Sequence, residues 1–144
     1  MEVSSQVFQA MIDHASEQFP LESCGLLVGR PGRIERLIRM ENVRASRSEF
    51  AMNPAELVQV IRDHRKNELE LVGIYHSHPT SPAWPSNQDI EEFHYRGTSY
   101  WIVSLSEKSK PVVRCFRWEN ESFIVHPYAI CESDKCRKTT PTTR

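Results

Sequence analysis

The 144-residue chain is predicted to fold as a single α/β domain in which helices flank a β-sheet. Two kinds of pattern lead to this prediction. Longer segments carry apolar residues at the three- and four-residue spacing of a helix, and shorter segments between them are rich in β-branched and aromatic residues. Proline and glycine punctuate the boundaries, and no internal repeat is present. A chain of this length buries about two thirds of the surface that its unfolded form exposes, which is enough for one core.

Three segments are predicted to be helical. Residues 5–19 form an apolar stripe that we expect to pack into the core. The stripe consists of Phe8, Met11, Ile12, Ala15 and Phe19. A second helix begins after Asn53, with Pro54 in its first turn, and runs to about residue 66. A short third helix covers residues 87–95, with Ser86 as its N-cap.

The other patterned segments are predicted to be strands. In chain order they cover residues 24–29, 34–40, 69–75, 100–105, 112–118 and 122–128. A turn at Pro31 and Gly32 separates the first two, and a polar loop over residues 42–49 precedes the second helix. The folded domain is therefore expected to span residues 1–128.

A polar tail is predicted to follow the domain. Residues 129–144 are rich in Lys, Arg and Thr and have no apolar pattern after the first few positions, so we expect them to be disordered. Cys131 and Cys136 lie in this tail. A zinc site there would need two further ligands, and only His126 is near in sequence, so the role of these two cysteines stays open.

Composition excludes several classes of protein. The 18 basic and 19 acidic residues are interspersed and give a net charge of −1, so nothing indicates a nucleic acid or an anionic membrane as a partner. The sequence shows no signal-peptide pattern and no apolar run long enough to span a bilayer. Four irregularly spaced cysteines are too few for a secreted disulfide scaffold. We therefore expect a cytoplasmic protein, and its oligomeric state is left open.

Residues 76–89 are the most informative segment for function. His76 and His78 follow an apolar, β-prone run, so alternation along a strand would place both imidazoles on the same side. Two imidazoles that converge on one point suit a divalent transition metal, and Asp89 could supply a third ligand. Three protein ligands leave one coordination position open, as in catalytic zinc sites. Alternatively, the histidines are ordinary strand-end residues, and Ser86 and Asp89 only cap a helix; the capping and metal-binding interpretations are compatible.

A glutamate in a second segment completes a recognisable pattern. Residues 20–29 contain Glu22 just before a predicted strand, and Glu22 taken alone would be an ordinary solvated loop carboxylate. Together the two segments resemble the signature of the JAMM, or MPN-plus, zinc metalloproteases. That signature has an upstream Glu, then His-x-His-Pro, seven residues between the second His and a Ser, and an Asp three residues later. Its positions are filled here by Glu22, His76, His78, Pro79, Ser86 and Asp89.

The resemblance covers about residues 1–128 and implies both a fold and a mechanism. The fold would be the mixed, curved sheet of JAMM domains, which is related to the cytidine deaminase layout. His76, His78 and Asp89 would hold Zn²⁺, which lowers the pKa of a bound water to about 7. Glu22 would act as general acid and base, and Ser86 would donate a hydrogen bond to the oxyanion of the tetrahedral intermediate.

Other metal-dependent classes fit the sequence less well. A zinc nucleoside deaminase would carry its glutamate beside the histidine and a Pro-Cys-x-x-Cys segment, and neither is present. The His-x-Asp/Glu spacing of non-haem iron oxygenases is also absent. The main alternative is a non-catalytic MPN docking module that binds ubiquitin-like proteins and keeps a structural metal. Glu22 separates these two hypotheses, because only an enzyme needs it.

The substrate class follows from the resemblance alone. JAMM enzymes cleave amide or isopeptide bonds at the C-terminal tail of ubiquitin-like proteins. About ten residues separate Asp89 from the predicted strand at Tyr100, so the second insertion of the eukaryotic deubiquitinating members is missing. The chain looks like the small stand-alone bacterial members, which resemble peptidases acting on ubiquitin-fold sulfur carriers of the ThiS/MoaD type. Such a tail could dock beside a sheet edge, where Trp84 could form one wall or be an exposed aromatic without a role. Which carrier is cleaved, and which amine leaves, stays open.

Overall fold

The computed structural model describes residues 1–95 and 97–132. Its strands, in chain order, are β1 (Glu2–Ser4), β2 (Cys24–Arg30), β3 (Arg33–Met40), β4 (Glu70–His78), β5 (Ser99–Ser104), β6 (Val112–Glu119), β7 (Ser122–Val125) and β8 (Ala129–Cys131). Its helices are α1 (Ser5–Gln18), α2 (Pro54–Arg65) and α3 (Asn87–Glu92). All three predicted helices and all six predicted strands are present, so the predicted α/β class is confirmed.

The strands form one mixed sheet in the order β7-β6-β5-β4-β2-β3-β1-β8. β4 lies near its middle, antiparallel to β2 and parallel to β5. Two parallel neighbouring strands cannot be joined by a tight turn. The chain therefore leaves the end of β4, forms α3 and returns to the other end of the sheet, where β5 begins beside β4. In open α/β sheets, ligands bind in crevices outside the carboxyl ends of the strands. His76 and His78 lie at that end of β4.

Each face of the sheet carries its own apolar cluster. On one face, the buried side of α1 packs against Tyr75 and Trp101. On the other face, Leu57 of α2 packs with Ile74. Because side chains alternate along a strand, His76 points to the same face as Ile74 and away from the face of Tyr75. The sheet therefore directs the first imidazole to the side that α2 and α3 cover.

Both long helices begin at side-chain caps. The hydroxyl of Ser4 accepts a hydrogen bond from the backbone N–H of Val7 at 3.1 Å and caps α1. The side-chain oxygen of Asn53 accepts from the N–H groups of Ala55 and Glu56 at 2.9 and 3.1 Å and caps α2. Such caps satisfy backbone donors that have no partner inside the helix, and each contributes about 1 kcal/mol.

Several boundaries differ from the sequence prediction. α3 ends at Glu92 rather than near residue 95, and β7 ends at Val125 rather than at residue 128. β1 and β8 were not predicted, and residues 129–131, which we assigned to the polar tail, form β8 instead. Each of these two strands has three residues, too few to show a period of two. The expected disorder of the tail and the role of Cys136 concern residues 133–144, which lie outside the described residues.

None of the helices in the described ranges combines the length and the apolar character that crossing a bilayer would require.

Candidate active site

His76, His78 and Asp89 bring three donor atoms together at the carboxyl end of β4. The Nε2 atoms of His76 and His78 are 3.0 Å apart. A carboxylate oxygen of Asp89 lies 3.3 Å from the first and 3.2 Å from the second. Tetrahedral zinc bound at 2.0–2.1 Å holds its ligand atoms about 3.3 Å apart, so these three atoms have the spacing that the ion requires. The residues fit a zinc ion without rearrangement.

Neighbouring groups orient both imidazoles. The Nδ1 of His78 is 2.8 Å from the carbonyl oxygen of Pro82 and donates a hydrogen bond to it, which leaves Nε2 with the lone pair that a metal needs. The ring of His76 is held by packing: Phe50 stacks on it at a centroid distance of 4.5 Å, and Tyr100 lies against it at 5.3 Å. No described residue bonds the Nδ1 of His76. The proline-rich loop after β4 thus supplies the carbonyl, that of Pro82, which orients the His78 ring.

Asp89 reaches the histidines through the N-terminus of α3. The hydroxyl of Ser86 accepts from the Asp89 N–H at 3.0 Å, and the Asp89 carboxylate accepts from the Ser86 N–H at 2.9 Å. This is the capping box that the sequence predicted, and it fixes the same oxygen that faces the two imidazoles. The carboxylate that caps α3 is therefore also the one expected to bind the metal, so the two interpretations of the sequence are compatible in the structure.

Glu22 lies beside this triangle because β2 and β4 run antiparallel. Cys24 at the start of β2 pairs with His76 near the end of β4. The residues just before β2, which include Glu22, therefore lie beside the two histidines. The Glu22 side chain is only 4% exposed, and its Oε1 has no hydrogen-bond partner among the described residues. One carboxylate oxygen of Glu22 and one ring nitrogen of each histidine all lie within 4.8 Å of one another. The unpartnered Oε1 atom of Glu22 can accept a hydrogen bond from a water molecule in the site.

Two sets of three ligands can accordingly be drawn from the site. The set with Asp89 has contacts of 3.0 to 3.3 Å, and the atoms of the set with Glu22 all lie within 4.8 Å of one another. Separations near 3.3 Å suit direct coordination of one tetrahedral ion. Asp89 therefore remains the expected third ligand, and Glu22 the residue expected next to the water.

The ionisable groups of the site differ in protonation for identifiable reasons. Burial raises the pKa of Glu22 to about 8, although the nearby His78 opposes that shift. Burial also acts on Asp89, but hydrogen bonds from His76 and His78 outweigh it and hold the pKa of Asp89 well below its usual value. Burial lowers the pKa of His76, so its ring is neutral at pH 7. An ionised aspartate and a neutral imidazole are the forms that coordinate metal.

The environment of His78 shifts its pKa in the opposite direction. Burial lowers the pKa of His78, but its hydrogen bonds to Asp89 and to the Pro82 carbonyl raise it by more. Below this raised pKa, a metal that binds Nε2 must compete with a proton on the same nitrogen. Metal affinity should consequently rise with pH.

Ser86 and Trp84 lie in the loop that leads to α3. Ser86 is exposed, and its oxygen accepts the bond from Asp89, so its hydroxyl hydrogen can be donated towards solvent or a ligand. Trp84 is 49% exposed, and its ring lies under the Arg114 guanidinium at 4.5 Å and against Phe116 at 5.8 Å. A cavity of about 340 Å³ opens beside Asp89, and Trp84 does not line it. The role of Trp84 in binding a substrate stays a prediction.

Three further residues support the site, and the sequence pattern did not reveal them. Phe50 stacks on His76, the hydroxyl of Ser77 accepts from the Ser23 N–H at 2.8 Å, and Asn42 bonds the carbonyl of Glu22 at 3.0 Å. Each contact joins residues at least 20 positions apart. The signal for Ser77 was its place between the two histidines, whereas Asn42 looked like an ordinary loop residue.

Fold and site together define a class of protein. Three donor atoms at metal-binding spacing, with a free carboxylate oxygen next to them, are what a hydrolase needs to activate water. On this mixed sheet they define a metallopeptidase of the JAMM type. The chain belongs to the family described as prokaryotic homologs of the JAB domain, which matches residues 4–120.

Known proteins that resemble the chain agree with this assignment. The CysO-cysteine peptidase of Mycobacterium bovis is 29% identical over 132 residues, which cover 90% of each chain. The desampylase of Pyrococcus furiosus is 33% identical over 90 residues, which cover 62% of this chain and 63% of its own. The solution structure of a protein from Desulfitobacterium hafniense matches with a TM-score of 0.84 at 33% identity and covers 92% of this chain and 94% of that one.

Proposed function

We propose that the protein is a zinc-dependent peptidase that cleaves an amide or isopeptide bond at the C-terminal tail of a ubiquitin-fold sulfur carrier. His76, His78 and Asp89 would hold the zinc, Glu22 would transfer protons, and Ser86 would stabilise the oxyanion. The observation that carries the proposal is the buried Glu22 oxygen without a partner, adjacent to three donor atoms spaced 3.0 to 3.3 Å apart. The cytoplasm remains the proposed location.

Burial of Glu22 favours an enzyme over a docking module with a structural metal. A buried carboxyl group without a hydrogen bond lowers the stability of the fold, typically by about 1–3 kcal/mol. A module that only binds a partner has no reason to retain such a group. A proton-transfer catalyst does, because burial raises the pKa of Glu22 to about 8, close to neutral pH.

The protein side chains divide the chemistry among themselves. Bound zinc would supply polarisation of water and of the substrate carbonyl. Glu22 takes a proton at Oε1 and later delivers it to the leaving amine, as carboxyl groups with raised pKa values do in other hydrolases. The exposed Ser86 hydroxyl can donate to an oxygen of the substrate while its own oxygen still caps α3.

The identity of the relatives supports the substrate class. One is named for release of cysteine from CysO and another is named a desampylase, and the chain spans 90% of the first. A ubiquitin-fold carrier presents an extended C-terminal tail, and such a segment can enter a narrow site that excludes folded surface. Trp84 stands near the site with half of its surface free, and we propose that it contacts the tail or the carrier.

The decisive test compares Glu22→Gln with wild type. Glutamine keeps the shape of the side chain but cannot transfer a proton, so hydrolysis of a carrier with a C-terminal extension should fall by about 10²–10⁴. Mass spectrometry of the carrier before and after incubation, with a chelator control, measures the cleavage. Zinc content should be unchanged. The melting temperature should be unchanged or slightly raised, because the variant removes a buried ionisable group.

Glu49→Gln is the matched control for this experiment. Glu49 is a half-buried carboxylate in the loop packed beside Glu22, and it belongs to neither set of metal ligands. The Glu49→Gln variant should cleave the carrier at the wild-type rate. Equal cleavage by wild type and Glu22→Gln would refute the proposed role of Glu22. Binding of the carrier without cleavage by either protein would instead favour the docking module.

A further inference from the structure

The backbone around Glu22 is held by partners from two other segments, the loop over residues 42–51 and β4. The Glu22 N–H donates to the Ser46 carbonyl at 2.8 Å, and the Glu22 carbonyl accepts from the Asn42 side chain at 3.0 Å. At the next residue, the Ser23 N–H donates to the Ser77 hydroxyl at 2.8 Å, and the Ser23 carbonyl accepts from the Ser77 N–H at 3.0 Å. All four backbone polar groups of these two residues are therefore used. Since Oε1 of Glu22 has no partner of its own among the described residues, the backbone determines where the carboxyl group points.

Asn42 uses its whole hydrogen-bonding capacity at this point. Its Nδ2 donates to the carbonyls of Glu22 and Glu49 at 3.0 and 2.9 Å. Its Oδ1 accepts from the N–H groups of Arg44 and Ala51, both at 3.1 Å. A side-chain amide has two donor hydrogens and two acceptor sites, and all four are satisfied here. Asn42 thus closes residues 42–51 into a ring and attaches that ring to Glu22.

The same loop is attached to the helix that carries Asp89. The Arg44 guanidinium forms two hydrogen bonds with the Glu92 carboxylate, at 3.0 and 3.1 Å, and Glu92 is the last residue of α3. The loop therefore spans the distance between the Glu22 backbone and α3. We call residues 42–51 the bracing loop.

We propose that Asn42 is a positioning residue, which fixes the Glu22 carboxyl group relative to the metal-binding side chains through the bracing loop. The inference rests on the proposed function, because it assumes that Glu22 acts on the reacting atoms. Among the described residues, the Asn42 side chain forms its hydrogen bonds with backbone groups, and the Glu22 carbonyl is one of them. Without its amide, the Glu22 carbonyl loses a donor and the Ser46 carbonyl is no longer held opposite the Glu22 N–H.

The test compares Asn42→Ala with Asn53→Ala. Asn53 is also an asparagine whose oxygen accepts from two backbone N–H groups, but these two bonds cap α2 and do not hold Glu22. We expect amide hydrogen exchange at Glu22 and Ser23 to accelerate at least about tenfold in Asn42→Ala and to stay at the wild-type rate in Asn53→Ala. This measurement needs no substrate.

The kinetic comparison uses the zinc-loaded proteins and a carrier with a C-terminal extension. Misplacement of a catalytic group by about 1 Å costs up to about 10² in rate, so kcat should fall by roughly that factor in Asn42→Ala, with KM and zinc content close to wild type. Asn53→Ala should keep kcat. If Asn42→Ala does not fold, Asn42→Asp replaces it, because aspartate preserves the acceptor for Arg44 and Ala51 and substitutes for the donor an acceptor oxygen that cannot bond the two carbonyls.

Equal exchange rates at Glu22 in both variants, or equal kcat values, would overturn the inference. A rise in KM without a fall in kcat would also overturn it, because it would show that the bracing loop binds substrate instead. If wild type cleaves no carrier tail, the proposed function fails, and the exchange rates alone then decide whether Asn42 holds Glu22.

Discussion

The two acidic residues of the site receive opposite protonation from their surroundings. Burial raises the pKa of Glu22 to about 8, and its Oε1 atom has no hydrogen-bond partner among the described residues. Asp89 is equally buried, but hydrogen bonds from two imidazoles and from the Ser86 N–H hold its pKa well below the usual value. Environments that separate the pKa values of neighbouring carboxyl groups assign one of them to proton transfer and the other to a fixed charge. This criterion supports the proposal that Glu22 exchanges protons and Asp89 binds the cation.

Metal content should distinguish these roles at single residues. We expect about one zinc per chain in protein purified without added metal. His78→Ala and Asp89→Asn should weaken zinc binding by at least about tenfold, since even loss of a residue that only supports a ligand costs that much. Glu22→Gln should keep its zinc. Elemental analysis and competition with a chelator measure the affinity.

His64→Ala is the control for the metal experiment. His64 is a half-buried histidine whose ring contacts the Val60 carbonyl of its own helix, and it belongs to neither set of metal ligands. It should bind zinc as wild type does. Zinc that is unaffected by His78→Ala would eliminate the proposed site, and loss of zinc in Glu22→Gln but not in Asp89→Asn would make Glu22 the third ligand.

Among the elements, α3 depends most on its cap. It has six residues, fewer than two turns, and an isolated helix of that length is not stable in water. Its capping box supplies two backbone contacts and also aims the Asp89 oxygen at the histidines. A change in the cap should therefore alter both the stability of α3 and the position of the Asp89 carboxylate relative to the histidines.

Ser86→Ala should show two separable effects. Loss of the cap should lower the free energy of unfolding by about 1 kcal/mol. Loss of the hydroxyl donor should lower kcat by about 10²–10³ if Ser86 contacts the oxyanion. Ser4→Ala provides the comparison, since Ser4 caps α1 through the Val7 N–H and belongs to β1, which lies between β3 and β8 in the sheet and not beside β4. Chemical denaturation and carrier cleavage are measured on both variants, and an unchanged kcat in Ser86→Ala would remove Ser86 from the proposed mechanism.

The sequence predicted the elements that carry a period and the site residues that carry a motif. α1 and α2 span three or more turns, which is long enough for an apolar stripe, whereas β1 and β8 have three residues each and depend on their neighbours in the sheet. At the site, spacing was sufficient for His76 and Asp89, which are 13 positions apart in one segment. Asn42 could not be predicted, because its function depends on contacts with Glu22 and Glu49 that exist only after β2 and β3 have paired.

At the scale of the whole molecule, the order of the strands assembles the site. β2 is antiparallel to β4, so its beginning lies beside the end of β4, and Cys24 pairs with His76 although 52 positions separate them. β5 is parallel to β4, so the connection between them passes over the same end and contributes α3 with Asp89. Glu22, the histidines and Asp89 meet because one neighbour of β4 is antiparallel and the other is parallel. β8 lies at the far edge of the sheet, four places from β4.

Two truncations test this separation between the site and the far edge. Removal of residues 133–144, which the sequence predicts to be a polar tail, should leave zinc content and melting temperature nearly unchanged. Removal of residues 129–144 also deletes β8 and leaves β1 without the partner that it pairs with from Glu2 to Ser4. Loss of two or three such hydrogen bonds, at about 1 kcal/mol each, should lower the melting temperature by roughly 6–12 °C.

Zinc content should be equal in both truncated proteins, because both retain β4 and its neighbouring strands β2 and β5. Thermal unfolding followed by circular dichroism, together with elemental analysis, gives both quantities. If the shorter truncation lowers the melting temperature as much as the longer one does, residues 133–144 contribute to the fold, and Cys136 becomes the first residue there to test by substitution. If instead the longer truncation loses zinc, the far edge and the metal-binding end of β4 are coupled, and the sheet does not separate them as its strand order indicates.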